Sequence, residues 1–597
     1  MTAGAQQRRA LIFGASGLIG RYLILALAES GAKVTAAVRS TRSATSMQRW
    51  LSEHGLTTPV NTVTVDFDAT EIIANGSAAL ADVTEIHNCA ASFRFGMSAE
   101  EARQANVGIV EKLMDFAVGL PELQRVVHIS GYRVGGQDPN LVPWSPERRA
   151  TIYREHGAYE ASKEESDAIF QARARELGIP WTIVNPASVI GDSVTGESEQ
   201  LVGLATTVRQ VWDGTLTALP GGQEIFLPVI TVDYLASFMA AAAIDPAAAG
   251  MSYWLVDDDT PPLADLLTQT GEYLGAKVPR LRIPVSVIKR LPSWITHADP
   301  ETLTFMSSDR YPTRSALALA AKHGIVMPDV RVSLERWADY VAAHRFSTAN
   351  ESNRRFIDAA DVRTFELGAA GSERLIFPGL PVNADTWATV AEGIGARAVD
   401  LPGLGLSGGD GIEDWERWLP AVLGDGSTDL IGHSIGAAAA VLAADRHPAR
   451  VRSLTLVAPF FLQPSSATVT RLRPLVSMAL RRTGAAGLSR RLTGSGRSAA
   501  ALRSSADDLR RHSAPHVAAY LARAGSASWR DELREKLRRF TGPVRIVTGS
   551  ADPLAPEWAA ELATRSNVEV ISIAGAGHHP QLTHGEELTQ LFAGARV

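Results

Sequence analysis

The chain of 597 residues holds one cysteine, Cys89. That excludes an intrachain disulfide and any zinc site built on several cysteines, and no metal centre is expected. Long hydrophobic runs are missing too. The most apolar stretches, around Leu235–Ile244 and Ile435–Ala444, fall short of the roughly 20 residues a membrane span requires. Neither sign of charge dominates, and a formal net charge of -6 gives no support for a nucleic-acid binder. Met1 to Arg9 is short and polar, so no secretory signal is expected there. These absences together predict a soluble protein of a reducing, cytoplasmic compartment. What is present is an ordinary globular composition, 45% hydrophobic and 20% charged. The length exceeds what one core supports, so about two to four domains are expected.

Apolar runs alternate with helical patterns from Arg9 to about Arg345. Ala10–Phe13, Lys33–Val38, Val60–Val65, Glu85–Cys89, Arg125–Ser130 and Trp181–Asn185 read as buried strands. Amphipathic stretches such as Leu18–Ala28 and Asn106–Ala117 lie between them. This order predicts an α/β fold with a doubly wound parallel sheet. The polar segment Phe346–Phe356 reads as a linker, and the alternation then restarts. Leu375–Phe377, Ala396–Val399, Thr428–Ile431, Ser453–Val457, Val544–Thr548 and Val568–Ile573 read as strands of a second sheet. The strand signal vanishes between Pro459 and Phe540, which reads as a helical, Arg-rich insertion. The expected division is 1–345, a linker at 346–357, and 358–597 with the insertion at about 459–540.

Gly14, Gly17 and Gly20 form G-x-x-G-x-x-G between a strand and a helix. Such glycines allow a tight turn and let backbone N–H groups and the helix N-terminus approach a pyrophosphate. Gly14, Ser16, Gly17, Leu18, Ile19 and Gly20 are therefore candidates for binding a dinucleotide. The second strand ends in Val38-Arg39-Ser40 without an acid. A guanidinium there suits the 2′-phosphate of NADP, and the same arginine in a merely solvated loop is the plain alternative. Asp66, closing the third strand, is a candidate for the adenine edge. Tyr159 and Lys163 stand one helical turn apart. A nearby ammonium lowers a phenol pKa, so this pair suits proton exchange with a carbonyl or alcohol.

On these residues, 10 to about 340 resemble an extended short-chain dehydrogenase/reductase. Asn185-Pro186-Ala187-Ser188-Val189-Ile190-Gly191-Asp192-Ser193-Val194-Thr195-Gly196-Glu197 and Phe226–Tyr234 are similar to its thioester-reductase and fatty-acyl-reductase branch. The resemblance implies NADP(H) as cofactor, and Tyr159 and Lys163 as both catalytic and cofactor-binding. Ala90, Ala91 and Pro186 fall at the family's cofactor positions, and Asn106 matches its structural asparagine. Pocket residues of such reductases come mostly from the region here spanning about Asp192–Trp294. The family's third catalytic residue is a Ser or Thr. Here the stretch is Val127-His128-Ile129-Ser130-Gly131-Tyr132-Arg133-Val134, and the spacing puts Gly131 in that place. Three readings stay open: Ser130 serves through a local shift, Tyr132 helps, or the carbonyl is polarised less well. Losing one such donor costs on the order of 10²–10³ in rate by analogy with an oxyanion hole.

Gly432-His433-Ser434-Ile435-Gly436 is G-x-S-x-G after a strand and before a helix, the pattern that lifts a serine above a sheet. Asp552 follows the Val544–Thr548 run, and His578 follows the next strand. Serine, acid and base thus come in the chain order of α/β-hydrolases. With the Asp400–Ser407 loop, residues of about 360–597 resemble that family along nearly their full length. The resemblance implies Ser434 as nucleophile, His578 as general base, Asp552 as its partner, and the N–H groups of Leu380 and Ile435 as the oxyanion hole. It makes the 459–540 insertion a helical cap. Pro378 stands where the family usually has histidine. His433 and His579 read as packing residues. Arg471, Arg473, Arg481, Arg482, Arg490, Arg491, Arg510, Arg511, Arg538 and Arg539 crowd the insertion. They read either as a solvated helical surface or as a face for an anionic substrate carrier.

The whole chain reads as a bifunctional enzyme. One half would reduce an acyl thioester or keto substrate with NADPH; the other would hydrolyse an ester or thioester, with carbon–carbon cleavage left open. The substrate would be a small acyl or keto molecule, free or carried on coenzyme A or a carrier protein. The alternative is a serine hydrolase joined to a catalytically silent NADP-binding domain. Many short-chain reductases pair through two helices, which leaves a homodimer among the open states.

Overall fold

β1 (Arg9–Phe13), β2 (Lys33–Val38), β3 (Asn61–Thr64), β4 (Glu85–Asn88), β5 (Arg125–Ile129), β6 (Trp181–Pro186) and β7 (Met251–Leu255) form one sheet. Its spatial order is β7-β6-β5-β4-β1-β2-β3, and every pairing is parallel. This is the doubly wound order, with its switch point between β1 and β4. The computed structural model describes residues 7–73, 80–91, 97–221, 225–288, 307–347, 353–464, 473–552 and 556–594. β1, β4, β5 and β6 are buried almost throughout, which is why they read as continuous apolar runs. β7 was not expected: its first residue is exposed and it lies at the sheet's edge, so the run lacks an interior strand's signature.

The chain divides into two compact units, Met1–Ala342 with Phe346–Thr348, and Ala343–Arg345 with Ala349–Val597. In the first, a small lobe adds two short parallel pairs, Ser188–Ile190 with Val229–Thr231 and Leu219–Pro220 with Arg282–Ile283. Leu204, Val208, Leu227, Leu263 and Trp337 fill that lobe's core. Part of the region expected to line a substrate pocket, residues 289–294, lies outside the described residues.

The second unit holds an eight-stranded mixed sheet. Six strands were expected there, from Arg374–Phe377 to Val568–Ile573. The other two, Arg354–Asp358 and Arg363–Gly368, form an antiparallel hairpin at one edge. Here the expected linker is corrected. Residues 348–352 lie outside the described residues, but Arg354–Ile357 are strand. The segment looks polar because Arg354 and Arg355 stand side by side ahead of Phe356, which packs on Phe365 at 5.7 Å. Two left-handed residues, Ala360 and Asp361, close the turn. The described part of the insertion is helical, including Arg473–Arg481, Ala485–Thr493, Ala514–Ala524 and Ala527–Arg539. Residues 465–472, Arg471 among them, lie outside the described residues.

A buried ion cluster ties the insertion to the loop after Phe377. Arg345 reaches both oxygens of Asp508 at 2.9 Å and Asp385 at 2.7 Å. Asn383 donates to Asp508 at 2.7 Å, and Arg354 pairs with Asp385 at 2.6 Å. Against the cost of burial, Arg345 and Arg511 hold Asp508 well below the usual carboxylate range. Removing one partner of such a cluster leaves uncompensated buried charge. Arg345→Ala is expected to destabilise the second unit by about 3–5 kcal/mol, read as a shift of its urea midpoint.

Candidate active sites

In the first unit the glycine turn leaves β1 and enters α1 (Leu18–Glu29). Gly14 has φ +75°, and a Cβ there would meet the Cys89 carbonyl at 2.6 Å. A Cβ on Gly20 would lie 2.3 Å from the Gly14 oxygen. Protein packing thus demands both glycines. Gly17 differs: its nearest neighbour is the Gly14 oxygen at 3.4 Å, an ordinary contact. It N-caps α1 without a side-chain hydrogen bond to the helix. The helix N-terminus therefore presents backbone N–H groups where a phosphate can approach. The residues fit a dinucleotide.

A cavity of about 530 Å³ opens beside this turn, at the carboxyl ends of the strands. Gly14, Gly17, Leu18, Ile19, Gly20, Ala90, Ala91, Tyr159, Lys163 and Pro186 all line it, as the sequence leads one to expect. Ser16, Arg39 and Asp66 lie outside its wall. Arg39 and Asp66 are exposed just past the ends of β2 and β3. Asn106 is buried in a single π-helical turn, Gln104–Gly108, and donates to Ser162 at 2.9 Å. Asn88 braces the β4 loop by accepting from the Ala90 N–H at 3.1 Å. The Asp192–Glu197 motif is structural: Asp233 accepts from the Ser193 hydroxyl, and Glu197 accepts from Trp50.

Tyr159 and Lys163 project from the Ala158–Glu176 helix onto the cavity wall. Lys163 donates to the Ile129 carbonyl at 3.3 Å. Burial lowers its pKa to about 8, with Asp167 pulling the other way. The expected lowering of the phenol is not what this geometry produces. Burial, then Glu160, raises the Tyr159 pKa, because the cost of exposing a phenolate to an apolar wall outweighs a lysine that bonds elsewhere. The Ser130 oxygen is buried and faces Asp167, whose carboxyl burial pushes up to about 6. Gly131 lines the cavity beside it. The Tyr132 hydroxyl is buried. Arg133 and Glu160, which the sequence did not single out, form an ion pair at 2.7 Å on the same wall.

In the second unit Ser434 sits between the Thr428–His433 strand and the Ile435–Arg446 helix with φ +52°. That conformation costs a non-glycine residue roughly 1–3 kcal/mol. It persists because the turn is clamped. A Cβ on Gly432 would lie 2.5 Å from the Gly436 oxygen, and one on Gly436 would lie 2.1 Å from the Phe377 oxygen. His578 Nε2 is 3.0 Å from Ser434 Oγ, and its Nδ1 is 3.1 Å from Asp552 Oδ1. Asp552 is almost wholly buried, whereas the His578 ring is partly open.

Leu380 lies in the loop laid over the elbow, where Gly379 approaches so closely that a Cβ would lie 2.8 Å from that of Ser434. Ile435 is the first residue of its helix, so its N–H has no intrahelical acceptor. His433 Nε2–H donates to the His578 carbonyl at 2.9 Å. Burial holds His433 down to about 3 and drives His579 well below its ordinary value, so both stay neutral packing groups. The Asp400 loop is also structural: its carboxylate takes the Ala384 and Leu406 N–H groups at 2.7 and 2.8 Å. Of the insertion's arginines, Arg510, Arg511, Arg538 and Arg539 pair with carboxylates.

Residues 12–239 match the Male sterility protein family, and residues 375–591 match the Alpha/beta hydrolase family. The chain joins a domain of each family. The first is a dinucleotide-binding domain of oxidoreductase type, and the second an α/β-hydrolase domain. Among curated proteins, the biotin biosynthesis bifunctional protein BioHC of Teredinibacter turnerae is 27% identical over 32% of this chain and 38% of its own. Mitochondrial NADH dehydrogenase (ubiquinone) 1 alpha subcomplex subunit 9 of Arabidopsis thaliana is 24% identical over 43% of this chain and 56% of its own. The matches thus span well under two thirds of either relative. A solved structure, the terminal R domain of the myxalamid PKS-NRPS pathway, is 18% identical with a TM-score of 0.47, covering 58% of this chain and 93% of its own. Among the described residues no helix is long and apolar enough to cross a membrane.

One residue of the hydrolase domain carried no signal in the sequence. Gln463 donates to Asp552 Oδ2 at 2.6 Å, and it belongs to no motif. Two outcomes test the dinucleotide-binding domain. Gly17→Val is expected to abolish binding of a reduced nicotinamide dinucleotide while leaving the thermal midpoint unchanged, whereas Gly20→Ala lowers the midpoint itself; fluorescence titration and melting separate them. Lys163 is charged below about pH 8 and neutral above it. Dinucleotide affinity is therefore expected to weaken as pH rises through that value, and Lys163→Met flattens the profile.

Proposed function

We propose that the chain is a bifunctional enzyme: a serine hydrolase of esters or thioesters joined to an NADPH-dependent reductase of an acyl thioester or keto substrate. The alignment of Ser434, His578 and Asp552 carries the hydrolase half. The Nδ1–H of His578 donates to Asp552, which leaves Nε2 to take the Ser434 proton as Oγ attacks the acyl carbon. The backbone N–H groups of Leu380 and Ile435 hold the developing oxyanion. The leaving group takes the proton from His578, and water then releases the acid by the same route. Buried, neutral His433 and His579 add no competing charge beside the imidazolium.

For the reductase half, the support is the Gly17 cradle with Tyr159 and Lys163 on one cavity wall. Bound NADPH supplies a hydride. Tyr159 donates the proton to the carbonyl oxygen, and Lys163 places an ammonium on the wall to favour the anionic cofactor. The preference for NADPH rests on Arg39 and on the lack of an acid at the end of β2. The apolar residues Val189, Leu227, Leu263 and Trp337 extend the cavity and suit an acyl chain. Gly131, and the turning of Ser130 toward Asp167, favour a second reading, in which this domain binds the dinucleotide without turnover.

A fluorophosphonate probe is expected to label wild-type protein and not Ser434→Ala, whose ester hydrolysis falls by on the order of 10⁶. Tyr159→Phe is expected to abolish single-turnover oxidation of NADPH across acyl-CoAs and β-keto acids while leaving hydrolysis intact. Wild-type protein that binds NADPH and oxidises it with none of them supports the silent domain instead.

A further inference from the structure

A triad carboxylate has two oxygens, and the histidine meets only one. Here Asp552 Oδ1 faces His578, and Oδ2 accepts from Gln463 Nε2 at 2.6 Å. The same Gln463 nitrogen lies 3.3 Å from His578 Nδ1. Gln463 follows the short 3-10 turn Phe460–Leu462, where the chain leaves the Val451–Val457 strand for the helical insertion. That turn is pinned by the insertion's Ala527–Arg539 helix. Buried Arg530 donates to the carbonyls of both Phe460 and Gln463, and Arg534 donates to that of Phe461 at 2.7 Å. Arg530 also stands 5.6 Å over the Phe460 ring.

We propose that Gln463 is a positioning residue for the hydrolase: its amide orients and partly neutralises the Asp552 carboxylate, and Arg530 holds Gln463 in place. This rests on the serine-hydrolase reading above. A hydrogen bond to an ionised carboxylate is roughly twice as strong as a neutral one, and at this length it fixes the carboxylate's rotation. The titratable groups facing His578 among the described residues are Asp552, His433 and His579, and burial keeps both histidines neutral. Asp552 is therefore the one charged group that meets His578, and what holds its carboxylate holds the imidazole with it.

Removing the amide has two consequences. The carboxylate rotates away from Nδ1 part of the time, which lowers kcat. When it does face Nδ1 it carries more charge, which stabilises the imidazolium and moves the acidic limb of kcat/KM to higher pH.

The experiment uses the full chain and p-nitrophenyl butyrate. Gln463→Leu is expected to lower kcat by about 10- to 100-fold, the range for losing the hydrogen-bond partner of a metal ligand, carried over to a triad carboxylate held in the same way. KM should stay within about twofold and the acidic limb should rise. Gln463→Glu sets two carboxylates face to face, so they share a proton. Its kcat should fall below that of the leucine variant above neutrality and recover relative to it on acidification. Arg530→Met should move both readouts in the direction of the leucine variant, by less.

A Gln463→Leu enzyme with wild-type kcat and an unmoved acidic limb overturns the proposal. So does one that loses activity with an unmoved limb and tracks the glutamate variant at every pH, since that marks a purely structural role. If the leucine variant does not fold, the isosteric glutamate variant carries the same test against wild type. Fluorophosphonate labelling of wild-type Ser434 separates the premises: an unlabelled, inactive wild type overturns the hydrolase reading, and this proposal with it.

Discussion

Both sites depend on backbone packed against backbone too closely for any Cβ. In the first unit the turn after β1 presses on the β4 loop through Gly14 and on itself through Gly20. In the second, the turn after the Thr428–His433 strand is clamped through Gly432 and Gly436, and Gly379 closes over it. In each case a parallel strand ends, the chain reverses within a few residues, and a helix starts with its N–H groups directed at the site. The positive end of the helix is then the site's fixed electrostatic feature. What differs is the side chain at the turn. Gly17 leaves space for a ligand's phosphate, whereas Ser434 places a hydroxyl there at a backbone angle the clamp enforces.

Around these turns the two domains manage titratable groups in opposite ways. The hydrolase surrounds His578 with imidazoles that burial keeps neutral, so that one carboxylate dominates its field. The dinucleotide-binding domain keeps a phenol and an ammonium on one apolar wall, where burial raises the phenol's pKa and lowers the ammonium's, so the two move apart. The phenol thereby becomes the tighter holder of its proton and the ammonium the looser one.

Much of this was legible in the residues. Interior parallel strands are buried on both faces, so β1, β4, β5 and β6 announce themselves as apolar runs. The glycine turn and the serine elbow are legible because geometry forbids other residues at fixed spacings. Edge elements were not. β7 starts on an exposed residue, and the Arg354–Gly368 hairpin opens on two adjacent arginines, so its start resembles a polar linker. Gln463 was hidden for another reason. Its role comes from a side chain brought to Asp552 across 89 residues of chain, and no local pattern encodes such a meeting.

The ion cluster at Arg345 shows why the edge of the hydrolase domain is hard to draw on the sequence. Ala343–Arg345 group with the second unit although the residues just before them belong to the first. Arg345 satisfies two carboxylates at once, one in the loop that follows Leu380 and one in the insertion. Asn383, three residues past Leu380, completes the tie by donating to Asp508. Without that cation Asp385 and Asp508 would repel each other in a region from which water is excluded, and among the described residues the loop carrying the Leu380 N–H would keep only the Asn383 side chain as its tie to the insertion. A boundary placed by composition falls after Arg345 and assigns its charge to the wrong unit. The physical boundary runs where the charges are satisfied.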